Sequence, residues 1–298
     1  MTWVRVIAMT LLIATPAAAQ QYLRTVASES KGSVMCVTWS KRDFVYRVGE
    51  GGSSRTPGES EFTAIDSAFA TWQAVAVTCS DFTFTRGARI ANPRVGKGTE
   101  SENVLVFRED GCRDVVPLTD SCLSDGSCAN KYGCWDHSEG TIGLTTVTYS
   151  TRTGVAVDAD IEFNASNFLF TTLSAPPCEA GREEVTCVAN DVQNTATHEI
   201  GHAVGFDHVE DVMSTMAPTA PVGETIKRVI DTGTASGFCQ TYPRGLPPTP
   251  CDELAVLRNR IIARNVGTFG VSCANSSVLG APAVMLALAA LLRRRKRS

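Results

Sequence analysis

His198-Glu199-Ile200-Gly201-His202-Ala203-Val204-Gly205-Phe206-Asp207-His208 holds three of the chain's four histidines. On a helix, positions i and i+4 share a face, so His198 and His202 can grip one cation from one side. Gly205 follows within a turn of His202. A residue free to take positive φ lets the chain leave the helix and fold back, and His208 then supplies a third imidazole. Three neutral imidazoles with a fourth position open form the ligand set of catalytic zinc. Glu199, next to the first ligand, is placed to take a proton from a zinc-activated water as general base. His-Glu-x-x-His alone recurs by chance in long helices, but the Gly-x-x-His extension makes coincidence far rarer. The other reading of a histidine, a satisfied core residue, fits three at these offsets poorly.

Outward from this stretch, Val192, Ala196, Ile200 and Ala203 predict a helix from about Asp191 to Val204. A weaker helix is expected near Ala235–Tyr242. Upstream, Phe62, Ile65, Phe69, Trp72 and Ala76 recur at spacings of three and four, the stripe of a buried helix. Thr56-Pro57-Gly58-Glu59 reads as its start, a cap residue with Pro at the first helical position and Glu three after the cap. Strands are expected at Phe44–Val48, Phe82–Thr85, Asn103–Phe107, Thr141–Tyr149 and Val155–Phe163. In the last, Val155, Val157, Ala159, Ile161 and Phe163 face one way, and Asp158, Asp160, Glu162 and Asn164 the other. That acidic row is either a calcium site or a solvated face; hard-cation ligands usually come from loops.

The chain has 298 residues, 43% apolar and 19% charged, which suits a packed core. Its net charge of −4 hides an asymmetry, since Arg5 and the run Arg293–Arg297 carry many of the positives. The body left without them is acidic and has no basic stripe, which argues against nucleic-acid binding. Met1–Arg5, the apolar Val6–Thr15 and Pro16-Ala17-Ala18-Ala19 read as a secretory signal (residues 1–19) cut after Ala19. Residues 20–33 are polar and expected to be loose. Leu246-Pro247-Pro248-Thr249-Pro250 opens a linker, residues 246–272. At the far end, Val278–Leu292 is uncharged and precedes the basic run; as a helix it would reach ~22 Å against a ~30 Å hydrocarbon core, a marginal membrane span. With Cys273 just before it, the stretch 273–298 resembles the C-terminal sorting tails of exported myxobacterial proteins, in which a sorting protease cuts near the Cys and leaves the protein on the cell surface. A plain tail anchor is the other reading.

Eleven cysteines suit an oxidising compartment. Ten precede the tail and can form five disulfides, leaving Cys273 over. Connectivity does not follow from sequence. Cys178–Cys187, closing a short loop, is the pair best supported. The spacing Cys122-x5-Cys128-x5-Cys134-x2-His137 matches no usual zinc pattern, so disulfides are preferred there to a zinc knuckle, and residues 108–140 read as a stapled insert.

His198-Glu199-x-x-His202-x-x-Gly205-x-x-His208, followed by Met216-Ala217-Pro218, resembles the metzincins, and within them the matrixin-like (matrix metalloproteinase-like) peptidases. Met216 falls where that family has its Met-turn beneath the zinc ligands; Met213 is a less well spaced candidate. Gly154–Asn164 looks like the segment that precedes the active helix in bacterial matrixin-like proteins. The resemblance spans roughly Val34–Pro243 and implies an α+β catalytic domain over 34–245. That domain would have a twisted five-stranded mixed sheet, two long helices and a C-terminal helix. It also implies a wall around Pro218–Ile226 beside the cleaved bond. The chain departs from the family in lacking a Pro-Arg-Cys-Gly switch and room for a folded pro-domain. Only His137 remains for the family's second zinc, so that site is expected to be absent. Cys36 is expected in a disulfide, with Cys79 as a candidate partner.

The function these readings imply is a zinc-dependent endopeptidase, exported and extracellular or on the cell surface, acting as a monomer on protein or peptide substrates. One catalytic Zn2+ is expected and Ca2+ is left open. An edge strand, taken as the one before the active helix, would hold the substrate extended. The membrane would be met only through the tail, before its processing. The rivals are a catalytically idle surface binding or adhesion protein that retains a zinc site, and a self-processing maturation factor.

Overall fold

The apolar stripes decide which faces meet. In a computed structural model, which describes residues 22–30, 33–96, 102–251 and 272–274, Phe62, Ile65, Phe69, Trp72 and Ala76 all lie on the buried face of helix α1, Ser60–Cys79. That face covers a twisted mixed sheet. Its strands are β1 (Asp43–Val48), β2 (Thr83–Arg86), β3 (Asn103–Phe107), β4 (Thr141–Tyr149) and β5 (Ala156–Phe163). They run in the order β2-β1-β3-β5-β4, all parallel except β4, which is antiparallel to β5. Tyr46 of β1 stacks on Phe69 of α1 with ring centroids 3.6 Å apart. Helix α2, Val192–Ala203, lies beside α1 and over β4, and α3, Thr232–Thr241, closes the core with Phe238.

Several expectations need correction. Thr56 does not cap α1. Gly58 and Glu59 both take left-handed backbone, φ 56° and 62°, so Pro57–Glu59 forms a separate 3-10 turn and α1 starts at Ser60. The segment expected to be loose, residues 20–33, is strapped to the domain where it is described. Leu23–Arg24 pairs antiparallel with Phe206–Asp207, and Val26–Ser30 pairs with Ser33–Cys36. Residues 246–251 are not a free linker. Arg24 donates to the Thr249 carbonyl at 2.7 Å, Thr249 donates to that of Thr241 at 3.0 Å, and Cys251 is bonded to Cys36. The domain therefore continues past 245, and Cys36 does not pair with Cys79, whose partner is Cys239.

The acidic row of β5 is not a solvated face. Asp158, Asp160, Glu162 and Asn164 are buried, while Val157 on the other face is 42% exposed. Asp160 accepts from the Val104 and Gly96 amides at 3.0 and 2.6 Å; Glu162 is paired with Arg108 at 2.7 Å and approached by His137 at 3.2 Å. Burial pushes the Asp160 carboxyl up to about 7, with the neighbouring Asp158 adding to it and the two amides pulling it back. Nor is β5 an edge. It lies between β3 and β4, and the edge belongs to β4. A sixth strand, β6 (Ser272–Ala274), pairs along that edge.

Ten cysteines form five disulfides, among them the expected Cys178–Cys187. Cys112–Cys134 and Cys122–Cys128 staple the insert, so all three cysteines of the knuckle-like spacing are spent in disulfides. Among the described residues no helix is long and apolar enough to cross a membrane. The expected signal segment and the apolar stretch Val278–Leu292 lie outside the described residues.

Candidate active site

Helix α2 starts where Asp191 caps it, its side chain accepting from the Asn194 amide at 2.8 Å. Arg228 donates to the same carboxylate, Nε to Oδ1 at 2.8 Å, and fastens the helix start to the segment beyond the site. Asn194 extends the link by accepting from the Lys227 amide at 2.8 Å. Beyond α2, Gly205 turns the chain at φ 95°, and a side chain there would meet the Val37 carbonyl oxygen at 2.6 Å. Phe206–Asp207 then pairs with Leu23–Arg24, which returns the chain toward the helix and delivers His208.

The three imidazoles converge. The Nε2 atoms of His198, His202 and His208 lie 3.1–3.2 Å from one another. His198 Nδ1 lies 2.7 Å from the Thr215 carbonyl and His202 Nδ1 2.8 Å from that of Phe206. A carbonyl only accepts, so these Nδ1 atoms carry the protons and the two Nε2 lone pairs face inward. Burial holds all three rings below the ordinary histidine range, His208 at about 4; the charge of Lys227 adds to this for His198 and His208. Neutral nitrogens turned toward a common point repel unless an acceptor of lone pairs sits between them. A tetrahedral centre with metal–nitrogen bonds of about 2.0–2.1 Å requires nitrogens about 3.3 Å apart. The donor set therefore fits zinc, and among the described residues it is the one cluster able to hold a metal ion.

Glu199, next to His198 in α2, is fully buried. Its Oε2 accepts from the Thr145 hydroxyl of β4 at 2.6 Å, and its Oε1 has no hydrogen-bond partner among the described residues. Burial pushes this carboxyl up to about 8, with the Thr145 hydrogen bond pulling the other way. Met216 is wholly buried, and its sulfur would lie 2.3 Å from a Cβ at Gly201, so the side chain packs into the notch that glycine leaves in α2. Met213 is 61% exposed.

The supports of this arrangement are residues that sequence reading passed over. Trp72 donates its indole N–H to the Thr197 carbonyl at 2.9 Å, Trp39 to Ala203 at 2.8 Å, and the Tyr242 hydroxyl to Val204 at 2.8 Å. The last carbonyls of a helix have no partner within it; Trp39 and Tyr242 fill that need at Ala203 and Val204, while Trp72 adds a donor to a carbonyl in mid-helix. Asp231 caps α3 through the Gly233 and Thr234 amides and also accepts from the Thr215 amide at 2.8 Å. It thereby positions the carbonyl on which His198 rests. Trp72 was legible as core, while Asp231 lies ahead of a helix expected only from about Ala235; nothing in the sequence pointed to the partners they meet here. The Pro218–Ile226 segment is tied to the rest by Gly223, whose amide donates to Ala189 at 2.7 Å. It is tied again by Lys227, which donates to the Thr219 carbonyl at 2.9 Å and pairs with Glu224.

Residues 130–242 match the family model Matrixin. The match runs from the insert through the three histidines and Met216 to the end of α3. It supports a zinc metallopeptidase, and the imidazole cluster is consistent with the zinc that the family implies.

Proposed function

We propose that this protein is an exported zinc-dependent endopeptidase in which His198, His202 and His208 hold the metal and Glu199 is the general base. The observation that carries the reading is the convergence of three Nε2 atoms within 3.2 Å of one another, beside a carboxylate with one free oxygen. Zinc bound there would polarise a peptide carbonyl and acidify a water. The rest falls to the chain. Thr145 holds one Glu199 oxygen and leaves the other to receive a proton from the attacking water. The same carboxyl then passes that proton to the amine nitrogen as the C–N bond breaks. The outer side of β4, rather than β5, is the edge whose amides and carbonyls an extended peptide would pair with, and the Pro218–Ile226 segment walls the far side. Five disulfides favour an oxidising, extracellular setting. In this reading the protein acts as a monomer on protein or peptide substrates, and residues 273–298 meet the membrane until processing near Cys273 leaves the protein extracellular or on the cell surface.

The test is cleavage of a peptide library by wild type and Glu199→Gln, with zinc content measured in both and in His202→Ala. The expected result is one zinc per chain in the first two, cleavage only by wild type, and loss of zinc in the third. Equal cleavage by wild type and Glu199→Gln would overturn the mechanism, and an idle binder would cleave with neither. Zinc retained by His202→Ala would overturn the ligand set.

A further inference from the structure

The edge that the proposed activity needs for its substrate is already paired. Ser272–Ala274 runs antiparallel to β4, with Ser272 opposite Leu144, Cys273 opposite Gly143 and Ala274 opposite Thr141; the register shifts between Cys273 and Ala274. It lies against α2 as well. The position is specific. A Cβ on Gly143 would sit 2.7 Å from Glu199 Oε1, so Gly143 is the point of β4 that abuts the Glu199 carboxylate. The backbone of Cys273 therefore crosses the sheet edge beside Glu199, where an extended substrate would have to lie.

An exposed edge strand presents unpaired amides and carbonyls to any chain that can reach them. Here the competitor is tethered. Cys251 is fixed to Cys36, and twenty residues separate it from Ser272. Twenty residues treated as a random coil span roughly 25 Å end to end, and a tether of that length can give its far end an effective concentration in the millimolar range. Free peptides at ordinary concentrations compete poorly with such a strand.

We propose that the segment around Cys273 is a cis-acting strand that occupies the peptide-binding edge of β4, so that the full chain holds its own site closed until the tail is drawn away or removed. The regulatory role rests on the endopeptidase reading; the strand's occupancy of the edge does not.

The test uses the full chain with Ser272→Pro and Cys273→Pro together. Amides of successive strand residues point to opposite sides, so one of the two prolines must delete a donor facing β4. Hydrogen exchange over residues 141–149 is compared with and without the prolines, both in a Glu199→Gln background that prevents self-digestion. In chains with Glu199 intact, cleavage of one synthetic peptide is measured. The expected results are faster exchange over 141–149 and an apparent KM lower by roughly tenfold at similar kcat, as for release of a competitor in the millimolar range. Unchanged exchange would overturn the inference whatever the activity. Faster exchange with no cleavage by either chain would leave the strand in place and sink the endopeptidase reading. Faster exchange with cleavage unchanged would overturn self-closure.

Discussion

Helix α2 and the insert between β3 and β4 solve the same problem, how to hold a short segment still, by opposite means. Around α2 the core is continuous. Trp72, Phe206, Met216 and Phe238 enclose the helix, and its carbonyls are met by Trp72, Trp39 and Tyr242. The insert has a small apolar cluster of Cys112, Val116, Cys122, Cys128 and Cys134, and four of these five are disulfide partners. Burial at about 25 cal/mol per Å² holds a helix only where there is much surface to bury. A cluster of five residues cannot offset the ordering entropy of a loop, and covalent closure substitutes for it. The chemistry stands on the first kind of support and not on the second.

The sharpest break of this comparison separates chemistry from support within α2. Glu199→Gln is expected to lower kcat/KM by about 10²–10⁴-fold, the range of a lost general base. The thermal midpoint should stay equal to that of wild type or rise above it, because the substitution removes a buried carboxyl that has one oxygen unpartnered. A fall in both would mean that Glu199 is structural. Next comes the support itself. Trp72→Phe deletes the hydrogen bond to Thr197 and part of a fully buried ring system. It should cost about 2–4 kcal/mol in denaturant unfolding, with zinc affinity falling alongside as His198 loses its backing. Wild-type zinc affinity in a destabilised Trp72→Phe would show that the rings are set independently of that support.

What could be read in the sequence follows the same division. Periodicity exposed α1 and α2, and the offsets of four and ten residues brought His198, His202 and His208 together, because such signals are local. The edge was misassigned because strand order is decided by partners far apart in the chain. β4 and β5 are neighbours in sequence, yet only the pairing of β3 with β5, Leu105 opposite Ile161, puts β5 inside and leaves β4 with the side that Ser272–Ala274 covers. The solvated alternative for the acidic face of β5 failed for the same reason. Arg108 and His137, which meet Glu162, lie 54 and 25 residues away. The strap at residues 22–30 is held by backbone pairing to Phe206–Asp207 and by Tyr22, Leu23 and Arg24, which meet Phe206, the core and the Thr249 carbonyl, and partners so far along the chain leave no local periodicity to read. Asp231 went unread, because the weaker helix was expected only from about Ala235 and its partner Thr215 lies 16 residues away.

Asp231 supplies a smaller test. Burial pushes its carboxyl up, but hydrogen bonds from Thr234, Thr215 and Ser214 outweigh this and hold it below the ordinary carboxylate range. A folded-state pKa below the unfolded value contributes stability that is full above the unfolded pKa and is lost as pH falls through the folded one. Acid unfolding of wild type should therefore steepen below about pH 4. Asp231→Asn should flatten that limb and lower stability near neutrality, while cleavage at neutral pH falls modestly. An unchanged acid limb would mean that the hydrogen bonds counted here do not favour the ionised form.

The smallest effect on activity is expected in the insert. Cys122→Ala with Cys128→Ala opens a loop whose ends are six residues apart, and the chain-entropy relation assigns such a closure about 2 kcal/mol. That loss falls on the insert's own small cluster. Limited proteolysis between residues 112 and 134 should accelerate, while kcat/KM stays within about twofold, as for sites that share no partner. The one strand of communication is Cys112–Cys134, which fixes the segment before Trp135 and His137, and His137 meets Glu162 in the sheet. If opening Cys122–Cys128 lowered kcat/KM as strongly as Trp72→Phe, the insert would have to be counted among the supports of α2. The distinction between burial and cross-linking would then describe two stages of one structure and not two independent regions.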